Sequence, residues 1–280
     1  MPTPIPISVK AGNLLAAVRA QNPLVHNITN FVAMNSSANI LLAAGASPVM
    51  AHAPQEVGEM TRLADALVLN IGTLEDAWIE SMLLAGVTAN GRRIPVVLDP
   101  VGAGATRYRT EAAQRIRQRV RTTVIRANYS EILALASAGG GARGVDSNQR
   151  LEESAAEQVR RLAAEFACIV AVSGEIDLIS DGARVFLVRN GHALMPRVTA
   201  LGCGLSAVVG AWCAGIAPED RPALLEATAA AFGFYGLAGE KAARSAAGPG
   251  SFFPAFLDAL YTLTPEETAA GLRIDVLPAP

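Results

Sequence analysis

The chain has 280 residues, 51% apolar and 17% charged, enough for one large core or two modest ones and unlike a disordered tail, a collagen or a small disulfide scaffold. Its 23 basic residues against 25 acidic ones leave a formal charge of -2, so there is no overall basic field to hold a nucleic-acid backbone. Lys10 and Lys241 are the only lysines and neither stands in a Walker or kinase-strand context, so any phosphate must meet arginine, backbone N–H groups, a helix N-terminus or a metal ion.

In chain order, the proline-bearing start MPTPIPISVK has no apolar run, so it is not expected to act as a signal peptide. Strand patterns follow at 24–28, 48–50, 66–71, 96–98, 123–126, 168–172, 178–180 and 185–188. Helical patterns lie between the early ones, at 31–44, 54–63, 75–89, 110–121 and 149–166, with a further helical stretch at 130–138. This alternation predicts an α/β fold with a mostly parallel central sheet and helices on both faces. The last third reads as helical, at 203–215, 221–243, 252–261 and 265–270, with no linker before it, so residues 1–280 are expected to form one domain.

Two stretches carry no Asp, Glu, Lys or Arg. Residues 198–217 have the length of a membrane span, but they open on the loop-like TALGCG, so we read a loop leading into a buried helix and expect no membrane association. Residues 20–55 include the helix at 31–44, which lacks the charged face of a surface helix and is therefore covered, by its own chain or by another subunit.

Cys168, Cys203 and Cys213 are odd in number and lack CxxC spacing, which fits a reducing cytoplasm and argues against a structural zinc site. Cys168 and Cys213, flanked by apolar residues, read as packing; His52 and His192 stand singly, and His26 reads as a hydrogen-bonded residue at a strand end. Gly139, Gly141 and Gly144 have dinucleotide-type spacing but follow a helix instead of a strand, so they read as a flexible connection.

Strand ends are more informative. Asp99 leads into Pro100-Val101-Gly102-Ala103-Gly104 and is either a metal or phosphate ligand or a turn-capping aspartate. Arg126, Asn128 and Glu131 follow the next strand and are either a cap with an ion pair or, with Asp99, the parts of a metal-assisted phosphoryl transfer. Residues 199–204 precede an apolar helix whose first N–H groups make an anion site, and a cysteine there is expected to have a lowered pKa.

The strings HNITN (26–30), GASPVMA (45–51), LNIGTL (69–74), DPVGAGAT (99–106), IRANYSEI (125–132), GVDS (144–147), VSGEIDLI (172–179), GCGLSAVVGA (202–211) and GPGSFFPAFLDALY (248–261) run in order over nearly the whole chain. Together they resemble the hydroxyethylthiazole kinase family of thiamine salvage. The resemblance implies a ribokinase-like fold and transfer of the γ-phosphoryl of ATP, with Mg2+, to the primary hydroxyl of hydroxyethylthiazole. It also implies a cytoplasmic homotrimer with active sites between subunits.

Carried over by resemblance, Asn30, Val32, Met50 and Ala200 would contact the thiazole, Arg126 and Ser173 would contact ATP, and Asp99 and Glu131 would organise the magnesium and its waters. The backbone N–H groups of Ala200, Leu201, Gly202 and Cys203 would form the anion hole, and Cys203 would take the general-base position. The family usually has Val-Thr-Gly-Thr/Ala-Gly-Cys where this chain reads Val198-Thr199-Ala200-Leu201-Gly202-Cys203, a departure that strains the loop by about 1 to 2 kcal/mol if residue 200 has φ above zero. Phe253 replaces a common family glutamine. The alternatives are a kinase of the same fold for another heteroaromatic alcohol, such as hydroxymethylpyrimidine, and a catalytically silent thiazole-binding protein.

Overall fold

The computed structural model describes residues 6–137 and 148–277; the glycine-rich string at 139–144 and GVDS at 144–147 lie outside them. Nine strands form one sheet in the order β2 (Ser47–Val49), β1 (Leu24–Ile28), β3 (Ala66–Asn70), β4 (Val96–Asp99), β5 (Val124–Asn128), β6 (Ile169–Ser173), β7 (Asp177–Ser180), β8 (Val185–Val188) and β9 (Ile274–Leu277). The first six in that order are parallel, and β7, β8 and β9 continue antiparallel.

Strand side chains alternate between two apolar cores, as a sheet covered on both faces demands. Val25, Val68 and Val97 face one core, built with α1 (Ile7–Gln21), α2 (Met34–Ala44), α8 (Leu201–Cys213), α9 (Arg221–Ala243) and α10 (Pro249–Thr262). Leu67, Leu69 and Leu98 face the other, built with α3 (Val57–Leu63), α4 (Asp76–Arg92), α5 (Arg107–Arg119), α6 (Tyr129–Ser137) and α7 (Asn148–Phe166). Each buried Leu or Val contributes about 1.5–3 kcal/mol, and a slip of one residue would exchange the two faces, so the register of the central strands is firmly set.

Two elements fall outside the sequence expectation. Helix α1 begins directly after Pro6, and its buried Ala11, Leu15 and Val18 pack it against α9 and α11 (Pro265–Gly271). Strand β9 closes the antiparallel edge against β8, so the last third of the chain is not wholly helical. The uncharged stretch 198–217 resolves into a loop and α8, 13 residues long, preceded by a short 3-10 turn; among the described residues no helix is long and apolar enough to cross a membrane. Phe253 packs beside the first core, and nothing in the structure explains its replacement of glutamine.

Strand order reverses between β1 and β3, since β2 lies on one side of β1 and every later strand on the other. Open parallel sheets bind ligands in the crevice beyond the carboxyl ends of their strands at such a reversal. Asn30 follows β1 there, Asn70 ends β3 and Asp99 ends β4.

Candidate functional site

Asp99 is fully buried, and its register partner across the strands is Asn70. Its Oδ2 accepts hydrogen bonds from Asn70 Nδ2 at 2.8 Å and Ser206 Oγ at 2.7 Å, and Arg126 Nη1 lies 3.9 Å away. Its Oδ1 is buried without a partner. Burial pushes the carboxyl up to about 6, against the opposing pull of Arg126 and the Ser206 and Asn70 hydrogen bonds.

Arg126 sits on β5 and donates from Nη2 to Ser173 Oγ at 2.7 Å, on the neighbouring strand β6. Its guanidinium lies against the first turn of α8, where a Cβ on Gly202 would approach Nη1 to 3.1 Å. Helix α8 starts from Ala200, whose carbonyl accepts the N–H of Gly204 at 2.8 Å. The N–H groups of Leu201, Gly202 and Cys203 precede that first bond and have no carbonyl within the helix to reach. Guanidinium and helix N-terminus thus both line a cavity of about 840 Å³, whose wall also includes Ser173, Asn190 and Phe232.

Glu131 carries a different load. Its Oε1 accepts the Gly102 N–H at 2.8 Å and its Oε2 accepts the Asn128 N–H at 2.9 Å, while Asn128 Oδ1 accepts the Glu131 N–H at 2.9 Å. This reciprocal arrangement caps the first turn of α6 and ties it to the loop that follows Asp99. Both readings of these residues therefore remain chemically compatible, since each carboxylate oxygen has a second lone pair.

On the other side of Asp99, Asn30 Nδ2 reaches Asn70 Oδ1 at 2.8 Å and Cys203 Sγ at 3.3 Å. Cys203 is partly buried in the first turn of α8. The expectation of a lowered thiol pKa is corrected here: burial, with the Asp99 carboxylate beside it, pushes the thiol above its ordinary value, although Asn30, Asn70 and Arg126 pull the other way. A neutral thiol is the form this site favours.

Ala200 has φ 70 and ψ -7, the left-handed region that glycine adopts without strain. The conditional strain read from the sequence is therefore present. Val32 and Met50 are not drawn into the polar chain: Val32 is 60% exposed and Met50 is partly buried beyond β2. Their loops are linked through Trp78, whose ring lies 4.9 Å from Phe31 and 4.5 Å from His52. His26 is buried between Thr61 Oγ1 at 3.0 Å and the Ala51 carbonyl at 2.7 Å, as a hydrogen-bonded strand residue.

Sequence reasoning missed Asn70, Ser206 and Arg109. Asn70 has a visible signal, a single amide closing the apolar run Ala66 to Leu69; Ser206 has almost none among the small residues of α8. Arg109 binds the carbonyls of Ile71, Gly72 and Val101 at 3.0, 2.7 and 2.8 Å, clamping the β3 and β4 loops together.

Among the described residues no cluster of three or more His, Cys, Asp or Glu side chains gathers to hold a metal ion. A magnesium ion typically needs only one or two carboxylates, with phosphate and water oxygens completing its shell, and the unpartnered Oδ1 of Asp99 suits that donor set.

A model of the Hydroxyethylthiazole kinase family matches residues 15–266. Proteins named hydroxyethylthiazole kinase from Desulfotalea psychrophila and Pyrococcus furiosus are 52% and 47% identical over 268 and 269 residues, covering 96% of this chain in each case and 96% and 99% of the relatives. The structure of hydroxyethylthiazole kinase from Pyrococcus horikoshii superimposes with a TM-score of 0.87 at 45% identity, covering 96% of this chain and 99% of that one. A pyridoxal kinase from Staphylococcus aureus shares the fold alone, with a TM-score of 0.61 at 15% identity over 91% of this chain and 98% of that one. With sequence, family and fold in agreement across nearly its whole length, the chain belongs to the hydroxyethylthiazole kinase family.

Proposed function

We propose that this chain transfers the γ-phosphoryl group of ATP to the primary hydroxyl of hydroxyethylthiazole, as one kinase domain. The observation that carries the reading is that Arg126, Ser173 and the α8 N-terminus together line a cavity large enough for a nucleotide. Arg126 neutralises phosphate charge, and the N–H groups of residues 200 to 203 hold the transferring phosphoryl as charge develops on its oxygens. Asp99 and, through its loop, Glu131 would hold a magnesium ion. That ion supplies further neutralisation of the phosphates.

The acceptor hydroxyl lies beside Cys203 and Asn30 in this reading. A neutral Sγ orients the alcohol by hydrogen bonding, and alignment with the held phosphoryl supplies most of the rate. Val32 and Met50 contact the ring from the open side. Because Phe31 and Val32 are both 60% exposed and Leu42 is 59% exposed, all in a segment without charged residues, we place a neighbouring copy of the chain over them, as a homotrimer with sites between subunits. The free state of Cys168, Cys203 and Cys213 accords with a reducing, cytoplasmic setting.

An ADP-release assay with hydroxyethylthiazole, paired with mass spectrometry of the product, tests the reading. Gain of one phosphoryl group, dependent on ATP and magnesium, is the expected result. A folded protein that binds ATP yet phosphorylates only hydroxymethylpyrimidine would move the substrate and keep the chemistry.

A further inference from the structure

Asn70 ends β3 at the reversal of strand order and is 1% exposed. Its Oδ1 accepts from Asn30 Nδ2 at 2.8 Å and from the Gly72 N–H at 3.0 Å, and its Nδ2 donates to Asp99 Oδ2 at 2.8 Å. Only this orientation of the amide works. Reversed, it would set oxygen against the carboxylate and donors against donors. Gly72 completes the fit, because a Cβ there would stand 2.5 Å from Asn30 Nδ2.

The chain of contacts is continuous from Cys203 Sγ through Asn30 and Asn70 to Asp99, and from Asp99 to Ser206 on α8. A buried polar chain gives no stability that well-packed apolar residues could not match, so its presence at the crevice calls for another use. Along this chain of contacts it is Asp99 Oδ1 that is buried with its hydrogen-bonding capacity unused.

We propose that Asn70 is a positioning residue that sets the acceptor side and the cation side of the site together. Through one amide it fixes Asn30 next to Cys203 and turns Asp99 so that Oδ2 is occupied and Oδ1 is free. Ser206 fixes the cation side only. The inference rests on the reading of Asp99 as the carboxylate that faces magnesium.

The test uses the whole chain with Asn70→Ser, Asn70→Leu and Ser206→Ala, each checked by thermal melting. Calorimetry measures hydroxyethylthiazole binding without nucleotide or metal, and separately the magnesium dependence of binding a non-hydrolysable ATP analogue. Groups that orient a metal ligand typically change affinity 10- to 100-fold, so Asn70→Ser is expected to weaken both thiazole binding and magnesium-dependent analogue binding by about tenfold. Ser206→Ala is expected to shift the magnesium dependence alone.

Asn70→Leu is expected to match or exceed Asn70→Ser; if it fails to fold, the contrast between the two remaining variants decides. A lowered melting temperature with both binding constants within about twofold of the parent, an error-sized change, would reduce Asn70 to a structural residue. A change in only one constant for Asn70→Ser would also overturn the joint role. Absence of magnesium-dependent binding in the parent would instead overturn the reading of Asp99.

Discussion

The two sides of the crevice are built differently. On the phosphoryl side, Asp99, Arg126 and Ser173 lie on adjacent strands, are buried or partly buried, and are fixed by hydrogen bonds of 2.7–2.8 Å to one another or to Asn70 and Ser206. On the acceptor side, Phe31 and Val32 stand 60% exposed on a loop with no charged residue near in sequence. Charge handling demands preset geometry inside one chain, because reorienting dipoles during the reaction would cost what the site is meant to supply. Ring contacts are less demanding and can be completed by another surface.

The largest expected effect breaks the preset side. Asp99→Asn keeps the shape and removes the charge, and we expect kcat to fall on the order of 10²- to 10³-fold, the scale of losing one preorganised electrostatic group. The same change should stabilise the ligand-free protein. The folded carboxyl holds its proton up to about 6 and the unfolded one to 3.8, so between these values the folded chain binds more protons and the parent's stability falls as pH rises. Thermal melts should therefore show the variant's advantage over the parent at its largest above pH 6, shrinking as pH falls below that value. An advantage independent of pH would remove burial of the charge as the cause.

The open side is broken by Val32→Asp. Burying an unpaired carboxylate beneath a neighbouring copy costs about 3 kcal/mol, so association should weaken on the order of 10²-fold. Sedimentation at micromolar concentration should show smaller species, with the thiazole KM raised and ATP binding retained. An unchanged assembly would leave that surface to solvent and remove the neighbouring copy as the cover for it.

Much of this contrast is legible in the residues. The eight strand patterns through residue 188 each meet a strand of the sheet, and Arg126, Ser173, Asp99 and Asn30 all meet at the crevice. Helix α1 does carry a sequence signal, Ala11, Leu15 and Val18 at helical spacing shortly after Pro6, which the strand-and-helix alternation starting at residue 24 left out. Strand β9 places exposed Asp275 and Val276 side by side between half-buried Ile274 and Leu277, so this edge strand lacks the period-two signature of a half-buried one. The thiol of Cys203 departs from expectation because a helix N-terminus, visible in sequence, is outweighed by burial and by the carboxylate behind it, which are not. Partners distant in sequence, such as Ser206 for Asp99, leave no local pattern at all.

Cys203 lies between the two sides, and Cys203→Ser asks which it serves. With the thiol pushed above its ordinary value by burial, cysteine and serine are both neutral around neutral pH, so the rate profile should keep its shape there. We expect kcat to fall less than about tenfold, at the lower end of a general-base contribution or below it. A parent inflection in that range that vanished in the variant would restore thiolate chemistry.

The smallest expected effect sharpens the comparison at the loop that joins both sides. Ala200 holds φ 70 directly before the helix whose N–H groups form the anion site, and relieving a left-handed alanine with glycine should return about 1 kcal/mol. For a chain of this size that corresponds to a rise of about 2 °C in melting temperature. The thiazole KM should change less than about threefold, because the helix N-terminus and Arg126 stay where they are and only a methyl group is lost. If Ala200→Gly instead lowered the melting temperature, the flexibility glycine adds to the unfolded chain would outweigh the strain, and the alanine would be a stabilising choice in this loop. A large gain in turnover without a change in melting would mean that the alanine methyl acts on the acceptor itself, which would shift the loop's role from holding phosphate to selecting the alcohol.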